Sequence, residues 1–518
     1  MNFKKELLFF ESSRNSYKEK YRFDVGLFLK ACIETSPKSS ITYKDVSILL
    51  TDLQKQINTI RVLCVAHNLS KQDRVIIFVS NSLAFYGVFY AVLQSGAIAV
   101  PVNTFLSDAE CEQVIRDARP RIIITLHQEK QRFSSLFSDI AVLSFDEMLQ
   151  DIESSDSMDL VTRGENDPAV ILYTSGTTGV PKGVVLSSKN ILTNMFQAYT
   201  RIFSTFDEKQ PVLIAALPLF HSFSQNTCVF TALYCGAHLV VLPKIERQLL
   251  IDAIKKYQPT VFLGVPALFG LLCLLKYVPL DSVEIFISGG DALPHKIRQA
   301  FALIYNRKIC NGYGLSEASP VVATDLSDTI NEVGCIGQII PGMDYEIRDE
   351  QGNVLSDGAI GNLHVRGDNV MLGYYNDAAL TERVLKNGWL DTGDRAYVNK
   401  NGAIIVVGRE KELIKHKGIN IYPQEIENVI LMDAAVIRVG VVGERAQENG
   451  EEYPVAYVQI RSEYAENKEG IQNRLLALCK ERLAAYKVPK KCICTTQTLP
   501  TTVTGKVDKK VLAQVIKS

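Results

Sequence analysis

The sequence predicts an α/β protein. A large N-terminal domain, built of parallel-rich sheets covered by helices plus a β-rich subdomain, is expected to precede a small α+β C-terminal domain. From Arg74 onward, apolar runs of strand length alternate with helical segments, which is typical of parallel sheets with helices on both faces. From about Val333 the pattern changes to short strands separated by turn residues, and beyond Arg409 an α+β pattern follows. We expect the domains to span residues 1–408 and 409–518.

Each predicted strand is a short apolar run, and the predicted helices are the longer segments between such runs. Ser107 and Glu110 have the spacing of a capping box, which marks a helix start. The strands are predicted at residues 74–80, 97–102, 121–126, 169–172, 184–186, 239–243, 260–264 and 283–289. The helices are predicted at 83–96, from Ser107, from Ser187 or Ser188, at 246–257, from Ala267, from Gln424 and at 471–485.

Composition limits the classes of function. The chain has 518 residues, with 56 lysines and arginines against 57 aspartates and glutamates, and this balance argues against a nucleic-acid partner. Eleven cysteines lack the spacing of a zinc site or a disulfide framework, which favours a reducing compartment. The longest apolar run, Val261 to Leu275, is interrupted by Gly264 and Pro266 and is shorter than the roughly 20 residues that cross a bilayer. We therefore expect a cytoplasmic protein without a membrane span.

The string YTSGTTGVPKGV, residues 173–184, has the composition of a phosphate-binding loop. Its glycines let backbone N–H groups approach an anion, its hydroxyls add donors, and Lys182 adds a positive charge. It is not a Walker A loop, because two residues separate Gly179 from Lys182 and Gly183 stands where that motif has serine or threonine. Taken alone, the SGTTG part of this string is equally compatible with an ordinary glycine-rich turn.

Further strings carry polar residues suited to a nucleotide. SGGD and NGYGLSE each follow a strand, where open α/β sheets bind ligands. The carboxylate of Asp394 can accept two hydrogen bonds at once, as the paired hydroxyls of a ribose require. A serine-hydrolase elbow is disfavoured because Glu317 and Ala318 follow Ser316. The strings are SGGD (288–291), NGYGLSE (311–317), GWLDTGD (388–394), GREKELIKHKGINIYPQEIE (408–427) and PTTVTGKVDKKVL (500–512).

In this order and spacing, the strings resemble the motifs of the adenylate-forming superfamily, in its acyl-CoA synthetase branch. The resemblance runs from about residue 40 to the end, and residues 1–39 carry little information. It implies an enzyme that activates a carboxylic acid with ATP and Mg²⁺ and transfers the acyl group to CoA. It also implies that the C-terminal domain is mobile. Since no low-complexity linker precedes Arg409, we expect a tight hinge near Gly408.

The resemblance implies a role for each matching position. The implied ATP- and AMP-binding residues are Thr174, Ser175, Gly176, Thr177, Thr178, Gly179, Lys182, Gly289, Gly290, Asp291, Asn311, Gly312, Tyr313, Gly314, Ser316, Asp394 and Arg409. The implied catalytic residues are Lys506, Glu317, His221 and Lys182, and the implied metal ligands are Thr174 and Glu317. The implied hinge residue is Lys411. The implied CoA-channel residues are Lys415 and Gly418. The implied acyl-pocket residues are His221, Gln225 and Gly264. Ser316 departs from the threonine of many relatives but keeps the hydroxyl.

The substrate is narrowed by charge. No acidic residue lies between Leu217 and Thr231, so a buried substrate ammonium would lack its counter-charge there, which disfavours an amino acid. The segments around 221–230 and 261–269 are apolar and favour a fatty acid. Chain length and an aromatic alternative stay open, as do a homodimer and a location at the membrane periphery. Two other functions also stay open: an acyl-adenylate ligase that loads a separate acyl carrier protein, and a non-catalytic acyl or nucleotide sensor.

Overall fold

The computed structural model describes residues 3–149, 159–174, 181–206, 209–275, 277–326, 332–416, 419–445, 452–502 and 506–515. Among these residues, no helix combines the length and the apolar character needed to cross a bilayer.

The strands and helices alternate through most of the chain. The strands are β1 Ser40–Tyr43, β2 Val46–Leu49, β3 Arg74–Phe78, β4 Ile98–Pro101, β5 Ile122–Thr125, β6 Ala141–Ser144, β7 Pro168–Thr174, β8 Lys182–Ser187, β9 Val212–Ala215, β10 His238–Val241, β11 Val261–Gly264, β12 Ile285–Ser288, β13 Ile309–Gly314, β14 Val321–Asp325, β15 Cys335–Ile339, β16 Met343–Arg348, β17 Gly361–Gly367, β18 Gly373–Tyr374, β19 Leu385–Lys386, β20 Trp389–Val398, β21 Ile404–Arg409, β22 Ile414–His416, β23 Ile419–Ile421, β24 Val436–Arg445, β25 Glu452–Ile460 and β26 Lys491–Thr495. The helices are α1 Phe3–Tyr21, α2 Phe28–Thr35, α3 Leu50–Ala66, α4 Leu83–Gln94, α5 Asp108–Ala118, α6 His127–Leu136, α7 Phe145–Met148, α8 Ser188–Ala198, α9 Ser222–Ser224, α10 Ala232–Tyr234, α11 Arg247–Tyr257, α12 Pro266–Leu275, α13 His295–Tyr305, α14 Ala378–Val384, α15 Pro423–Ile430, α16 Lys468–Arg482 and α17 Lys509–Val515. A π-helical segment, Gln225–Thr231, joins α9 to α10.

The first sheet has the strand order β18-β8-β7-β4-β3-β5-β6. Its strands β7, β4, β3, β5 and β6 run parallel, whereas β8 and β18 are antiparallel additions at one edge. The predicted capping box at Ser107 is confirmed at the start of α5, and Ser187 caps α8 in the same way. The side-chain hydroxyl of each serine accepts an N–H that the helix itself cannot satisfy.

The second sheet has the order β16-β17-β20-β21-β15-β14-β13-β12-β11-β9-β10-β1-β2, with β19 beside β20. From β1 to β13 its neighbours run parallel, and from β13 to β16 they run antiparallel. The predicted β-rich part is therefore the continuation of the parallel sheet rather than a separate layer.

Residues 1–39, for which the sequence pattern carries little information, contribute two helices to the large domain. Phe10 and Phe28 are buried in its main core, and Tyr17 packs edge-on against Phe196. Glu6 pairs with Arg201 at 2.9 Å. Helix α1 is thus an integral part of this core.

The last part of the chain has its own sheet, β24-β25-β26, and its own core. β24 and β25 are antiparallel, β26 joins β25 in parallel, and Cys492 and Cys494 lie on β26. Helices α15 and α16 bury Ile426 and Leu475 against this sheet. An α/β protein with a large N-terminal and a small C-terminal domain is therefore confirmed, and the exact boundary at 408/409 stays a prediction.

Candidate active site

Four neighbouring strands of the second sheet, β9, β11, β12 and β13, end at one edge of that sheet. Because they are parallel, the residues that follow them meet in space. The segment with His221 follows β9, Gly264 ends β11, and SGGD follows β12. The string NGYG forms the end of β13, where Asn311 pairs with Ser288 of β12. Predicted acyl and nucleotide positions are thus brought to the same edge.

The predicted phosphate loop connects two antiparallel strands of the first sheet, and Thr174 of β7 pairs with Lys182 of β8 at its base. The loop positions Ser175, Gly176, Thr177, Thr178 and Gly179 lie outside the described residues. The structure therefore describes the two ends of the loop, and the tip stays a prediction.

Lys182 belongs to a positively charged cluster at this base. Burial, and then the nearby charges of Lys411 and Arg383, lower the pKa of its ammonium group. The ring of Tyr374 lies 5.7 Å below that ammonium. A polyphosphate would relieve the mutual repulsion of these cations, so the cluster is suited to an anion.

Tyr374 links the phosphate loop to Glu317. Its hydroxyl donates a hydrogen bond to Oε1 of Glu317 at 2.7 Å, and its backbone on β18 pairs with Val184 of β8. Sequence reasoning missed both Tyr374 and Arg383. No local pattern marked them, because the pairing of β18 with β8 joins segments far apart in the chain.

The oxygen ligands at this point fit Mg²⁺ brought in with ATP. The hydroxyl of Thr174 and the carboxylate of Glu317 are hard oxygen donors of the kind Mg²⁺ prefers. Among the described residues, no cluster of three His, Cys, Asp or Glu side chains could hold a metal unaided. Mg²⁺ is commonly held by one or two carboxylates together with substrate phosphates and water, and the assignment of Thr174 and Glu317 as its ligands stays a prediction.

Asp394 joins two of the predicted nucleotide motifs. This buried carboxylate accepts a hydrogen bond from the hydroxyl of Tyr313 at 2.5 Å and pairs with Nε of Arg409 at 3.1 Å. The charge of Asp394 raises the pKa of Arg409. The amide nitrogen of Asn311 donates to the carbonyl of Cys335 at 2.7 Å, which leaves its side-chain oxygen to accept from a ligand amine.

The glycines of SGGD admit an aromatic ring from the protein itself. A Cβ atom added at Gly289 would lie 3.1 Å from Cζ of Phe223, which sequence reasoning also missed. Two residues before it, His221 caps α9, and its Nδ1 accepts the backbone N–H of Phe223 at 3.3 Å. The hydroxyls of Ser222 and Ser316 lie 3.0 Å apart. The segment of residues 221–223, SGGD and NGYGLSE are thus in direct contact.

Lys506 reaches this edge from the far end of the chain. Its Nζ lies 3.4 Å from Oδ1 of Asp291. Burial, and then the charge of Lys506, lower the pKa of His221 to about 4, so its imidazole is neutral at pH 7. A second contact between the domains is the hydrogen bond from Lys296 to the carbonyl of Asp433, at 2.8 Å.

The remaining predicted positions lie around this centre. Gln225 is buried, and its amide donates to the carbonyl of Phe220 at 3.3 Å. Lys411 lies in a 3₁₀ turn, Glu410–Glu412, directly after β21. Lys415 is an exposed residue of β22, and Gly418 lies outside the described residues. The roles assigned to all of these residues stay predictions.

Comparison with known proteins agrees with this geometry. A family model described as AMP-binding enzyme matches residues 31–375, and one described as AMP-binding enzyme C-terminal domain matches residues 425–506. The chain is 30% identical over 512 residues to a long-chain-fatty-acid–CoA ligase of Bacillus subtilis, covering 91% of this chain and 90% of that one. It is 28% identical over 513 residues to 4-coumarate–CoA ligase 1 of Arabidopsis thaliana, covering 93% and 89%. The chain belongs to the AMP-binding enzyme family, as an AMP-forming acid–thiol ligase.

The chain also resembles solved structures of one enzyme in two forms. ATP-bound MatB from Rhodopseudomonas palustris superposes with a TM-score of 0.86 at 26% identity, covering 96% of this chain and 99% of that one. The apo form of the same enzyme gives 0.75 at 25% identity, covering 95% and 99%. The structure described here is therefore closer to the ATP-bound form of that relative than to its apo form.

Proposed function

We propose that the protein is an acyl-CoA synthetase that activates a fatty acid with ATP and transfers it to CoA. The observation that carries the proposal is the 3.4 Å contact between Lys506 and Asp291, beside the neutral imidazole of His221. A lysine at this point can bridge the carboxylate of an acid and the α-phosphate of ATP. In the proposed division, residues 1–408 bind ATP and the acid, and residues 409–518 supply Lys506.

In the proposed first half-reaction, an oxygen of the substrate carboxylate attacks the α-phosphorus of ATP. The bond from that phosphorus to the bridging oxygen breaks, and pyrophosphate leaves. The protein needs no covalent nucleophile because the substrate supplies one, so its work is positioning and charge neutralisation. Lys506 and Lys182 reduce the repulsion between the two anions, and neutral His221 can donate a hydrogen bond to the acid. Bound Mg²⁺ supplies further neutralisation of the polyphosphate.

The nucleoside part of ATP is held, in this proposal, by residues of the second sheet. The carboxylate of Asp394 and the guanidinium of Arg409 bind the ribose hydroxyls. The side-chain oxygen of Asn311 accepts from the adenine amine, and Tyr313 packs on the base. Support for this assignment comes from the hydrogen bond that joins Tyr313 to Asp394 and leaves both groups fixed before the nucleotide enters.

In the proposed second half-reaction, the CoA sulfur attacks the acyl carbonyl carbon of acyl-AMP. The bond between acyl carbon and phosphate oxygen breaks, AMP leaves, and the thiol proton passes to solvent. Lys506 must withdraw before the thiol can enter, and rotation at Lys411 would withdraw it. Lys415 and Gly418 would then face the channel used by CoA.

The fatty-acid assignment is supported by apolar side chains behind Gln225. A cavity of about 10 Å³ lies there, and its lining is half apolar and half polar: Leu172, Leu186, Ile191 and Phe230, with Ser222, Gln225, Asn226 and Ser319. Gln225 has a long, flexible side chain. The hydrogen bond from its amide nitrogen to the carbonyl oxygen of Phe220 is weak, at 3.3 Å. If this side chain turns aside, an alkyl chain gains contact with the apolar wall, and no cation or acid in that wall opposes it.

Isotope exchange tests the proposed reaction. The purified protein should exchange labelled pyrophosphate into ATP only when a fatty acid and Mg²⁺ are both present, and hydroxylamine should trap the acyl group before CoA is added. A panel of straight-chain, aromatic and amino acids is compared at equal concentration. Exchange that proceeds equally well with an amino acid would contradict the argument that the lack of acidic residues between Leu217 and Thr231 disfavours an amino-acid substrate.

The acceptor is determined in the same preparation by adding CoA or an acyl carrier protein to the preformed acyl-adenylate. Release of AMP with CoA alone is the expected result. Release with the carrier protein alone would replace CoA ligation by carrier loading, and the first half-reaction would be unaffected by that change.

A further inference from the structure

Lys509 joins three separate segments of the small domain. It is the first residue of α17, three positions after Lys506. Its Nζ lies 2.6 Å from Oε2 of Glu412 and 2.8 Å from Oε1 of Glu427. Glu412 belongs to the turn that carries Lys411, and Glu427 belongs to α15.

Charge and burial make this contact stronger than an ordinary surface ion pair. The side chains of Lys509 and Glu427 are only 21% and 14% exposed. The two carboxylates raise the pKa of Lys509 although burial opposes them, so the ammonium stays charged. Glu427 also accepts the backbone N–H of Val441 at 2.8 Å, which fixes its carboxylate to β24. Removing one partner of such a partly buried group leaves the others uncompensated.

Lys506 belongs to a hairpin, residues 500–508, whose base lies against the same part of the small domain as Lys509. The backbone N–H of Thr502 donates to the carbonyl of Lys506 at 2.7 Å, and that of Asp508 donates to the carbonyl of Pro500 at 2.8 Å. Beyond the hairpin, α17 presses on Gly440 of β24, where an added Cβ would lie 2.7 Å from Cδ1 of Leu512. A side chain at position 440 would displace Leu512 or Val507. The hairpin is thus held to β24 by packing, and Lys509 holds it to the turn that carries Lys411.

We propose that Lys509 is a positioning residue that sets where Lys506 stands when the small domain faces ATP. Its contacts make the Lys506 hairpin, α15 and the turn that carries Lys411 move as one rigid unit. Rotation at the hinge then delivers the Lys506 ammonium to the same point beside Asp291 on each turnover. The inference rests on the proposed function, in which only the first half-reaction uses Lys506. Loss of the Lys509 contacts should therefore slow acyl-adenylate formation and spare thioester formation.

The test measures the two half-reactions separately in Lys509→Met, Lys509→Arg and a matched control, Lys480→Met, at an exposed position of α16. In Lys509→Met, kcat for pyrophosphate exchange should fall about 10–100-fold, the loss expected from an ångström-scale misplacement of a reacting group. The KM for ATP and the reaction of supplied acyl-AMP with CoA should stay within about twofold of the parent. Lys509→Arg should recover most of the rate because a guanidinium can bind two carboxylates, and Lys480→Met should match the parent.

A milder change gives an independent measurement on a folded protein. Glu412→Gln alters a side chain that is 40% exposed and should lower pyrophosphate exchange in the same selective way. The double variant with Lys509→Met should lose no more than Lys509→Met alone. The reason is that Lys509→Met already removes the contact with Glu412 that Glu412→Gln alters. Equal loss in both half-reactions, or no loss in the first, would overturn the inference; if Lys509→Met does not fold, Glu412→Gln decides it by the same criterion.

Lys506→Ala, measured in parallel, separates this inference from the proposed function. If Lys506→Ala lowers only the first half-reaction and Lys509→Met does not, the inference alone is wrong. If Lys506→Ala leaves the first half-reaction intact, the proposed role of Lys506 is wrong, and the inference falls with it.

Discussion

The ammonium group of Lys506 affects two neighbouring side chains, Asp291 and His221, in different ways. Asp291 attracts it at 3.4 Å, while burial, and then the charge of Lys506, lower the pKa of His221. Both Lys506 and Asp291 are 39% exposed, and a pair with that exposure contributes at most about 1 kcal/mol. The pair is therefore weak enough to open when a substrate carboxylate competes for the lysine.

Replacement of Lys506 by alanine is expected to divide the two half-reactions. The change removes a charge directed at the transition state of acyl-adenylate formation, which by analogy with the loss of an oxyanion donor lowers that rate about 10²–10³-fold. Supplied acyl-AMP should still react with CoA at nearly the parent rate. Pyrophosphate exchange and thioester formation are measured in turn, and an equal loss in both would contradict the proposed role.

His221 should leave a signature in the pH dependence of stability. Its folded pKa of about 4 is below the ordinary value of 6.5, so between these values the unfolded chain binds a proton that the folded chain does not. This contribution to the free energy of unfolding is fully present above pH 6.5 and is lost as the pH falls toward 4. His221→Asn should show a shallower loss over that interval in chemical denaturation. Identical slopes for the two proteins would contradict a buried neutral imidazole.

At the scale of elements, the turn after β21 connects the two domains with very little chain. Arg409 at the end of β21 is bonded to Asp394, and Glu412 three residues later is bonded to Lys509. Glu410 and Lys411 are the two residues between these anchors, and they are left to absorb a rotation. A change of orientation must therefore come from the torsion angles of a few residues.

Lys411→Pro tests this hinge. Proline fixes φ and removes an N–H, so it should lock the small domain in one orientation. Since the described orientation brings Lys506 to Asp291, we expect pyrophosphate exchange to persist and thioester formation from supplied acyl-AMP to be strongly reduced. Lys411→Ala serves as the control for loss of the lysine side chain. Equal slowing of both steps in a folded protein would mean that the domain does not rotate about this residue.

At the scale of the whole molecule, the site is assembled from three bodies of structure. The first sheet supplies the phosphate-loop strands, the second sheet supplies the edge with His221, Asp291 and Asn311, and the small domain supplies Lys506. The greater similarity to the ATP-bound than to the apo form of MatB is consistent with this assembly. Helix α1 adds to the large domain by packing into its core and by the ion pair between Glu6 and Arg201.

The amino-acid pattern by itself determined the α/β class, most of the predicted strands and helices, and the strings that carry the chemistry. These are local properties: an apolar run, a capping box or a glycine-rich loop is readable from neighbouring residues. Only the tertiary structure decided that α1 belongs to the core, that Tyr374 and Arg383 lie near Lys182, and that Lys509 binds Glu412. These contacts join segments far apart in the chain, and they depend on which strands pair and how the domains face each other, which no local pattern encodes.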